Sequence, residues 1–138
     1  MMIKIGSCEA LENKPLNNFE LINTVKRLKI PNFRGVFLRD VLPRKPLKNE
    51  CGILNLDDSS GTGTHWVCWY KDGNKKYYFD SYGLTPPIEL IQYLKSPILY
   101  NTEQIQPKDQ VICGHLCLYV LWKMSKGITL QNIINDLY

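Results

Sequence analysis

The segment Val111-Ile-Cys-Gly-His-Leu-Cys-Leu-Tyr-Val-Leu-Trp122 is an apolar run that contains two of the chain's five cysteines. Its pattern predicts a packed helix over residues 113–125, with Cys113 at the N-terminus and Cys117 on the apolar face. The dipole and free amides of a helix N-terminus favour a thiolate by lowering the pKa of a thiol. Cys113 is therefore a candidate nucleophile, although most intracellular cysteines are only small apolar residues in a core.

A thiol nucleophile needs a base and the base needs an orienting acid, and both candidates lie upstream. His65 stands at the head of a strand candidate over residues 64–70, and Asp80 ends another over residues 76–80. An Asp-Gly turn signal between them predicts an antiparallel hairpin that would place Asp80 beside His65, where it could fix the imidazole tautomer. Each residue also has an ordinary role open to it, His65 as a structural histidine and Asp80 as an acceptor of turn hydrogen bonds.

Three further polar residues near Cys113 are candidates for catalytic roles: His115, Gln106 and Gln110. His115 is two residues from Cys113 on the same helix, and side chains at that spacing point apart, so it is a poor base for Cys113. We expect it to be a solvent-facing or core-edge histidine. Gln106 could form an oxyanion hole together with the backbone N–H of Cys113. Gln110 is a rival at closer spacing, and spacing alone does not choose between them.

The remaining elements predict an α+β domain with a small central, mostly antiparallel sheet flanked by helices. Apolar residues recur on one face of a helix over residues 18–29, and residues 31–46 are punctuated by Pro and Gly and read as loop-rich. The other predicted elements are a strand over residues 51–56, a helix from Pro86 and Pro87 to about residue 94, a short strand or extended segment within residues 97–106 and a helix over residues 129–137.

The amino-acid composition limits the classes of protein to which this chain can belong. The chain has 138 residues, 44% hydrophobic and 22% charged, which predicts one domain over residues 1–138 with a real core. The net charge of +4 is scattered, so contact with DNA or an acidic surface is allowed but not predicted. No stretch has the length of a signal peptide core or a membrane span, so we expect a soluble, unsecreted protein. Five cysteines without a disulfide spacing indicate a reducing compartment.

A zinc site is the alternative use of these histidines and cysteines. His65-x-x-Cys68 and Cys113-x-His115-x-Cys117 look superficially like ligand pairs. However, residues three apart on a strand face opposite sides, so His65 and Cys68 cannot easily share one metal ion. The sequence therefore predicts no metal site.

Four motifs in one order carry a family resemblance. They are Gly61-Thr-Gly-Thr-His-Trp66, Tyr78-Phe-Asp-Ser-Tyr-Gly83, Gln106 with its seven-residue step to Cys113, and Cys113-Gly-His-Leu-Cys117. In these motifs the chain resembles adenain, the maturation protease of adenoviruses, and more broadly the Ulp-type SUMO-protease clan. It looks especially like the short proteases of Maverick and Polinton elements and of adintoviruses.

The resemblance implies a papain-like cysteine protease fold with the catalytic residues in permuted order. It implies His65 as general base, Asp80 as its orienting acid and Cys113 as nucleophile, and it selects Gln106 over Gln110 as oxyanion donor. Trp66 would pack beside the catalytic pair and shield it. We also expect Gly114 to leave room for a substrate backbone.

The same resemblance implies a cysteine endopeptidase that processes viral structural precursors during virion maturation, at Gly-Gly or Gly-x sites. The expected setting is the virion and the host nucleus or cytoplasm, with a monomeric enzyme that needs no cofactor. Activation by DNA or a viral peptide stays open, although there is no cysteine around residues 94–97 for a covalent peptide activator. The alternatives are a protease that removes SUMO or another ubiquitin-like modifier, and a catalytically silent module that binds capsid or DNA.

Overall fold

The structure, a computed structural model, describes residues 14–57, 65–95, 97–106 and 112–137, and the backbone of residues 2–5 and 9–12. The elements in chain order are β1 (Met2–Ile5), β2 (Glu9–Glu12), α1 (Asn18–Leu28), β3 (Phe33–Leu38), β4 (Asn49–Asn55), β5 (Trp66–Asp72), β6 (Lys75–Phe79), α2 (Ile88–Leu94), β7 (Leu99–Tyr100), α3 (Cys113–Ser125) and α4 (Leu130–Leu137). The α+β class predicted from the sequence is confirmed.

The main sheet has five strands in the order β3-β4-β5-β6-β7, and it is mixed. Its centre is antiparallel, and the predicted hairpin of β5 and β6 forms with Cys68 opposite Phe79. Both edge strands are parallel to their neighbours, β3 to β4 and β7 to β6. The central strands thus pair antiparallel, as expected from the sequence, and the parallel pairing is confined to the two edges of the sheet.

Strand β3 and the antiparallel pair β1–β2 were not predicted. All six residues of β3 are only partly buried, so they lack the alternation of buried and exposed positions that identifies a strand in sequence. Gly35 interrupts the strand further, because its φ of 140° accompanies a shift in the register with β4. A segment predicted to be loop-rich is therefore an edge strand.

The two faces of the sheet carry separate cores, because side chains alternate along each strand. Ile53, Cys68 and Phe79 pack in the core that also contains α1, α3 and α4. Leu54 and Trp69 point to the opposite face and pack with residues of α2. Helix α3 is buried along almost its whole length and contacts β5. Its first residue, Cys113, accepts a hydrogen bond from the N–H of Trp66, so the N-terminus of α3 lies where β5 begins.

A buried carboxylate joins the strands beneath α2. Glu50 on β4 is 1% exposed and accepts hydrogen bonds from Arg34 on β3 (2.7 Å), the indole of Trp69 on β5 (2.9 Å) and the hydroxyl of Tyr93 on α2 (2.8 Å). The Leu47 N–H completes the set at 2.6 Å. A charge withdrawn from water is tolerated when it is paired and fully hydrogen-bonded, as it is here. This network ties β3, β4, β5 and α2 into one scaffold.

Candidate active site

Cys113 is the first residue of α3, as predicted, and its side chain is almost completely buried. The backbone N–H of Trp66, which begins β5, donates to Cys113 Sγ at 3.5 Å. Forty-seven residues separate the two in sequence. The thiol therefore lies where the helix N-terminus meets the start of the central strand.

His65 and Asp80 form a buried pair beside this thiol. His65 Nε2 lies 2.7 Å from Asp80 Oδ1, and the two residues are 6% and 0% exposed. The other ring nitrogen, Nδ1, makes no hydrogen bond to any residue in the described ranges, although the Cys113 thiol is close enough to affect the pKa of the imidazole. With Nε2 occupied by Asp80, Nδ1 is the nitrogen available to the thiol.

Asp80 makes both of the contacts that the sequence left open, one to His65 and one within a turn. Its Oδ1 also accepts from the Tyr82 N–H at 2.9 Å, and its carbonyl oxygen accepts from the Gly83 N–H at 2.8 Å, so it builds the turn that follows β6. Gly83 has φ of 73°, and a Cβ there would lie 2.6 Å from the Thr102 carbonyl oxygen. The turn that holds the acid therefore requires glycine at position 83.

The pKa values of His65 and Cys113 move in opposite directions. Burial by itself disfavours the imidazolium of His65, but the hydrogen bond to Asp80 and the nearby Cys113 outweigh it and raise the pKa of His65 to about 9. Burial likewise opposes the thiolate of Cys113, but His65 and the Trp66 N–H outweigh it, so that the pKa of Cys113 is lowered. Both shifts favour an imidazolium and thiolate pair at neutral pH.

Gln106 is completely buried and forms hydrogen bonds with Ser81, which lies just after β6. The hydroxyl of Ser81 donates to Gln106 Oε1 at 2.7 Å, and the Gln106 N–H donates to the Ser81 carbonyl oxygen at 3.0 Å. Ser81 follows Asp80 directly, so the candidate oxyanion donor is held one residue from the candidate acid. The rival Gln110 lies outside the described residues.

Trp66 and Gly114 shape the surroundings of the thiol. The Trp66 indole N–H donates to the Leu16 carbonyl oxygen at 2.9 Å, which holds the ring over the start of α3. A Cβ on Gly114 would lie 3.2 Å from both Leu21 Cδ2 and Trp66 Cδ1. The space at Gly114 that was expected to admit a substrate backbone is thus filled by the protein's own side chains, and close packing of α3 against α1 and Trp66 is what favours glycine there.

The second histidine is not part of this arrangement. His115 lies on α3 and is 0% exposed, so the expectation of a solvent-facing or core-edge histidine is wrong. The apolar run around it is buried on nearly all sides of the helix, which leaves no exposed face for position 115. The described residues hold no group of three or more His, Cys, Asp or Glu side chains that could bind a metal ion.

Three supporting residues were not identified from the sequence. Asn101 binds the backbone of Asp80 on both sides, accepting from its N–H at 3.1 Å and donating to its carbonyl oxygen at 2.7 Å. Tyr82 stacks on the His65 ring with centroids 4.0 Å apart and planes at 3°. Ser81 and Tyr82 adjoin Asp80 and could have been suspected from that position. Asn101 follows the two-residue strand β7, and nothing in its local sequence signals the contact.

A groove of about 520 Å³ opens beside Asp80. Leu56, Leu84, Pro86 and Pro87 provide apolar walls, and Arg39 adds a positive charge. Arg39 pairs with Glu89 at 3.6 Å, and both side chains are about one-third exposed. Asp80 also lines this groove, whereas His65 and Cys113 do not.

Asp80→Asn tests the electrostatics of the pair. We expect the pKa of His65 to fall from about 9 toward 6.5 or below, because burial continues to disfavour the imidazolium once the carboxylate is neutral. Between those two pH values the wild type would hold the imidazolium and the variant would not. NMR titration of ¹⁵N-labelled histidine measures the shift. Asp72→Asn, at an exposed position beside the hairpin turn, is the control; a variant His65 that still titrates near 9 would contradict the assignment.

Comparisons with known proteins by sequence and by structure give different results for this chain. The sequence matches no protein-family model, and no curated protein matches it significantly. No helix among the described residues is long and apolar enough to cross a membrane.

Solved structures do match the fold. The ASFV pS273R protease superposes with a TM-score of 0.66 at 18% identity, over 89% of this chain and 62% of that one. A second structure of the same protease gives a TM-score of 0.65. The SUMO protease Ulp1, with its catalytic cysteine oxidised to a sulfinic acid, gives 0.55 at 14% identity over 90% of this chain and 74% of that one.

The chain thus spans less than two thirds of the ASFV protease that it matches. The adenain-like and Maverick affiliations suggested by the motifs are not among these matches. What the matches share is architecture at low identity, so they bear on the fold alone. The chain has the α+β fold of the Ulp1-like cysteine proteases, with a five-stranded mixed sheet flanked by helices.

Proposed function

We propose that this protein is a cysteine peptidase that uses Cys113 as its nucleophile. One observation carries the proposal: the thiol at the N-terminus of α3 adjoins His65, whose Nε2 is 2.7 Å from the fully buried carboxylate of Asp80. Nucleophile, base and orienting acid are the three parts that thiol-based acyl transfer requires. A structural histidine would not need a buried carboxylate on one nitrogen and a cysteine with a lowered pKa near the other.

The reaction follows from these positions. The thiolate of Cys113 attacks the carbonyl carbon of a peptide bond, and a C–S bond forms. Gln106 and the Cys113 N–H stabilise the oxyanion. The C–N bond then breaks as His65 donates its proton to the leaving amine. Water, deprotonated by His65, hydrolyses the thioester and restores the free thiol.

The proposed substrate is an internal peptide bond in a viral or virus-like structural precursor, at Gly-Gly or Gly-x. The groove beside Asp80 supports an extended substrate, because its apolar walls suit a chain that lies along the surface. Likeness to a protease of the virus ASFV supports a viral setting. The placement in the virion and the host nucleus or cytoplasm, the monomeric state and activation by DNA or a viral peptide belong to the same proposal.

A second candidate is a protease for SUMO or another ubiquitin-like modifier, favoured by the likeness to the SUMO protease Ulp1. The chemistry would be the same and only the substrate would differ. A catalytically silent module that binds capsid or DNA is a third candidate. The buried His65–Asp80 pair argues against it, because burying a histidine and a carboxylate has an energetic cost that binding elsewhere would not require.

A substrate competition separates these candidates. The wild-type chain is offered an extended Gly-Gly peptide, the same peptide with Ala-Ala, and a SUMO conjugate, each with and without DNA, and products are identified by mass spectrometry. We expect cleavage of the Gly-Gly peptide at least about tenfold faster than that of the Ala-Ala peptide, because one added carbon in a fitted site lowers kcat/KM by about tenfold or more. Preferential cleavage of the conjugate would identify a deconjugating protease. No cleavage under any condition would favour the silent module.

A further inference from the structure

Ser81 makes two hydrogen bonds to Gln106, one through its backbone and one through its side chain, and a third to the neighbouring Ile105. The Ser81 carbonyl oxygen accepts hydrogen bonds from the N–H groups of Ile105 (2.8 Å) and Gln106 (3.0 Å). The Ser81 hydroxyl donates to Gln106 Oε1 at 2.7 Å. Both side chains are 0% exposed, so water does not compete for this contact.

In the side-chain contact, the oxygen end of the Gln106 carboxamide faces Ser81. The oxygen and nitrogen ends of a glutamine amide have nearly the same shape, but one accepts and the other donates hydrogen bonds. A hydroxyl that donates to Oε1 favours the orientation in which Nε2 points away from it. An oxyanion needs a donor, so only this orientation of Gln106 is useful for the proposed reaction.

The position of Ser81 in the chain couples this contact to the base. Asp80 Oδ1 orients His65, and the next residue orients Gln106. The turn that follows is held by the Gly83 N–H and by the side chain of Asn101, both bound to the Asp80 carbonyl oxygen. The turn after β6 thus positions both Asp80 and Gln106.

We propose that Ser81 is a positioning residue that fixes the amide of Gln106 for oxyanion stabilisation, an inference that rests on the proposed peptidase function. It acts through Gln106 and does not touch the substrate. The competing interpretation is that the hydroxyl only satisfies a buried polar group and contributes to stability. The two interpretations predict different effects of a Ser81 substitution. A positioning role affects only acyl transfer, because only that reaction forms an oxyanion, whereas a purely stabilising role does not distinguish between reactions of Cys113.

The test compares two reactions of the same thiol. Hydrolysis of a Gly-Gly peptide ester passes through an oxyanion. Alkylation by iodoacetamide does not, since the thiolate displaces iodide as the C–S bond forms. We expect Ser81→Ala to lower kcat/KM for the ester by about tenfold or more and to change the alkylation rate of Cys113 less than about twofold. Ser81→Thr, which keeps the hydroxyl, should recover most of the loss.

A double-mutant cycle with Gln106→Ala identifies the partner. Gln106→Ala should cost about 10²-fold or more in kcat/KM, and Ser81→Ala should add almost nothing in that background. Ser125→Ala is the matched control: it removes a serine hydroxyl bonded to the Trp122 carbonyl oxygen at the far end of α3 and should leave both reactions unchanged. If Ser81→Ala does not fold, Ser81→Cys keeps the volume with a weak donor, and site-resolved labelling still reports Cys113 alone.

Three outcomes would overturn the proposal. They are ester hydrolysis by Ser81→Ala within about twofold of wild type, a parallel loss of alkylation, and a full additive loss in the Gln106→Ala background. A wild-type chain whose Cys113 alkylates rapidly but that hydrolyses no ester would instead refute the peptidase function, and the positioning role with it. The two failures are therefore distinguishable.

Discussion

Replacement of Cys113 by alanine is expected to lower the rate of peptide hydrolysis by at least about 10⁴-fold while the fold is retained. The variant loses the only cysteine, among those in the described ranges, that lies beside His65 and has a lowered pKa. Removal of one sulfur atom at a nearly buried position should change the free energy of unfolding by only about 1 kcal/mol. Steady-state hydrolysis and thermal or urea unfolding measure the two quantities.

Cys117→Ala is the matched control for this prediction. It removes the same atom from the same helix one turn later, at a position that is completely buried. Burial and the nearby Cys68 raise the pKa of Cys117 well above its usual range, so it is not a competing nucleophile. Cys117→Ala should lose a similar amount of stability and keep its activity. Undiminished hydrolysis by a folded Cys113→Ala variant would refute the assignment of the nucleophile.

Replacement of His65 by alanine is expected to slow the alkylation of Cys113 by iodoacetamide near pH 6 by about 100-fold. In the wild type at this pH, His65 is protonated, because its pKa is about 9, and its charge stabilises the thiolate. Without the imidazolium, the burial that opposes the thiolate is countered only by the backbone N–H groups of Trp66 and Gly114. The pKa of the thiol should then move toward or above 9, where little thiolate exists at pH 6.

Site-resolved mass spectrometry measures this effect and requires no knowledge of the substrate. In the wild type, Cys113 should react faster than the chain's other four cysteines. His115→Gln is the matched control, because it replaces the other histidine of the chain two residues from the nucleophile. It should leave the labelling rate of Cys113 within about threefold of wild type, provided that circular dichroism shows a folded protein. Equal labelling of Cys113 in wild type and His65→Ala would mean that the pair is not assembled.

Local sequence patterns predicted much of the fold. The periodicity of residues 18–29 identified α1, whose observed bounds are Asn18–Leu28 and whose N-terminus is closed by a capping box between Asn17 and Glu20. The Asp-Gly turn identified the hairpin of β5 and β6, which brings Asp80 next to His65. These signals work because capping, turn geometry and amphipathic spacing depend on residues close together in the chain.

The same patterns could not reveal features that arise between distant segments. Strand β3 is recognised only by its pairing with β4, because its own residues are uniformly half-buried. Asn101 supports Asp80 from 21 residues away, and nothing in its local sequence requires that contact. His115 was misjudged because burial on all sides of α3 depends on the helices and strands that surround it.

The sequence by itself determined which reactive residues this protein has: a cysteine at a helix N-terminus, a histidine before a strand, an aspartate at a turn and a glutamine seven residues upstream of the cysteine. Tertiary structure alone decided that Cys113 meets Trp66 across 47 residues of chain, and that Ser81 binds Gln106 across 25. The physical reason is that burial of the two faces of the sheet places α3 against β5. A pKa shift depends on that placement, since it requires neighbours within a few ångströms that no local pattern specifies.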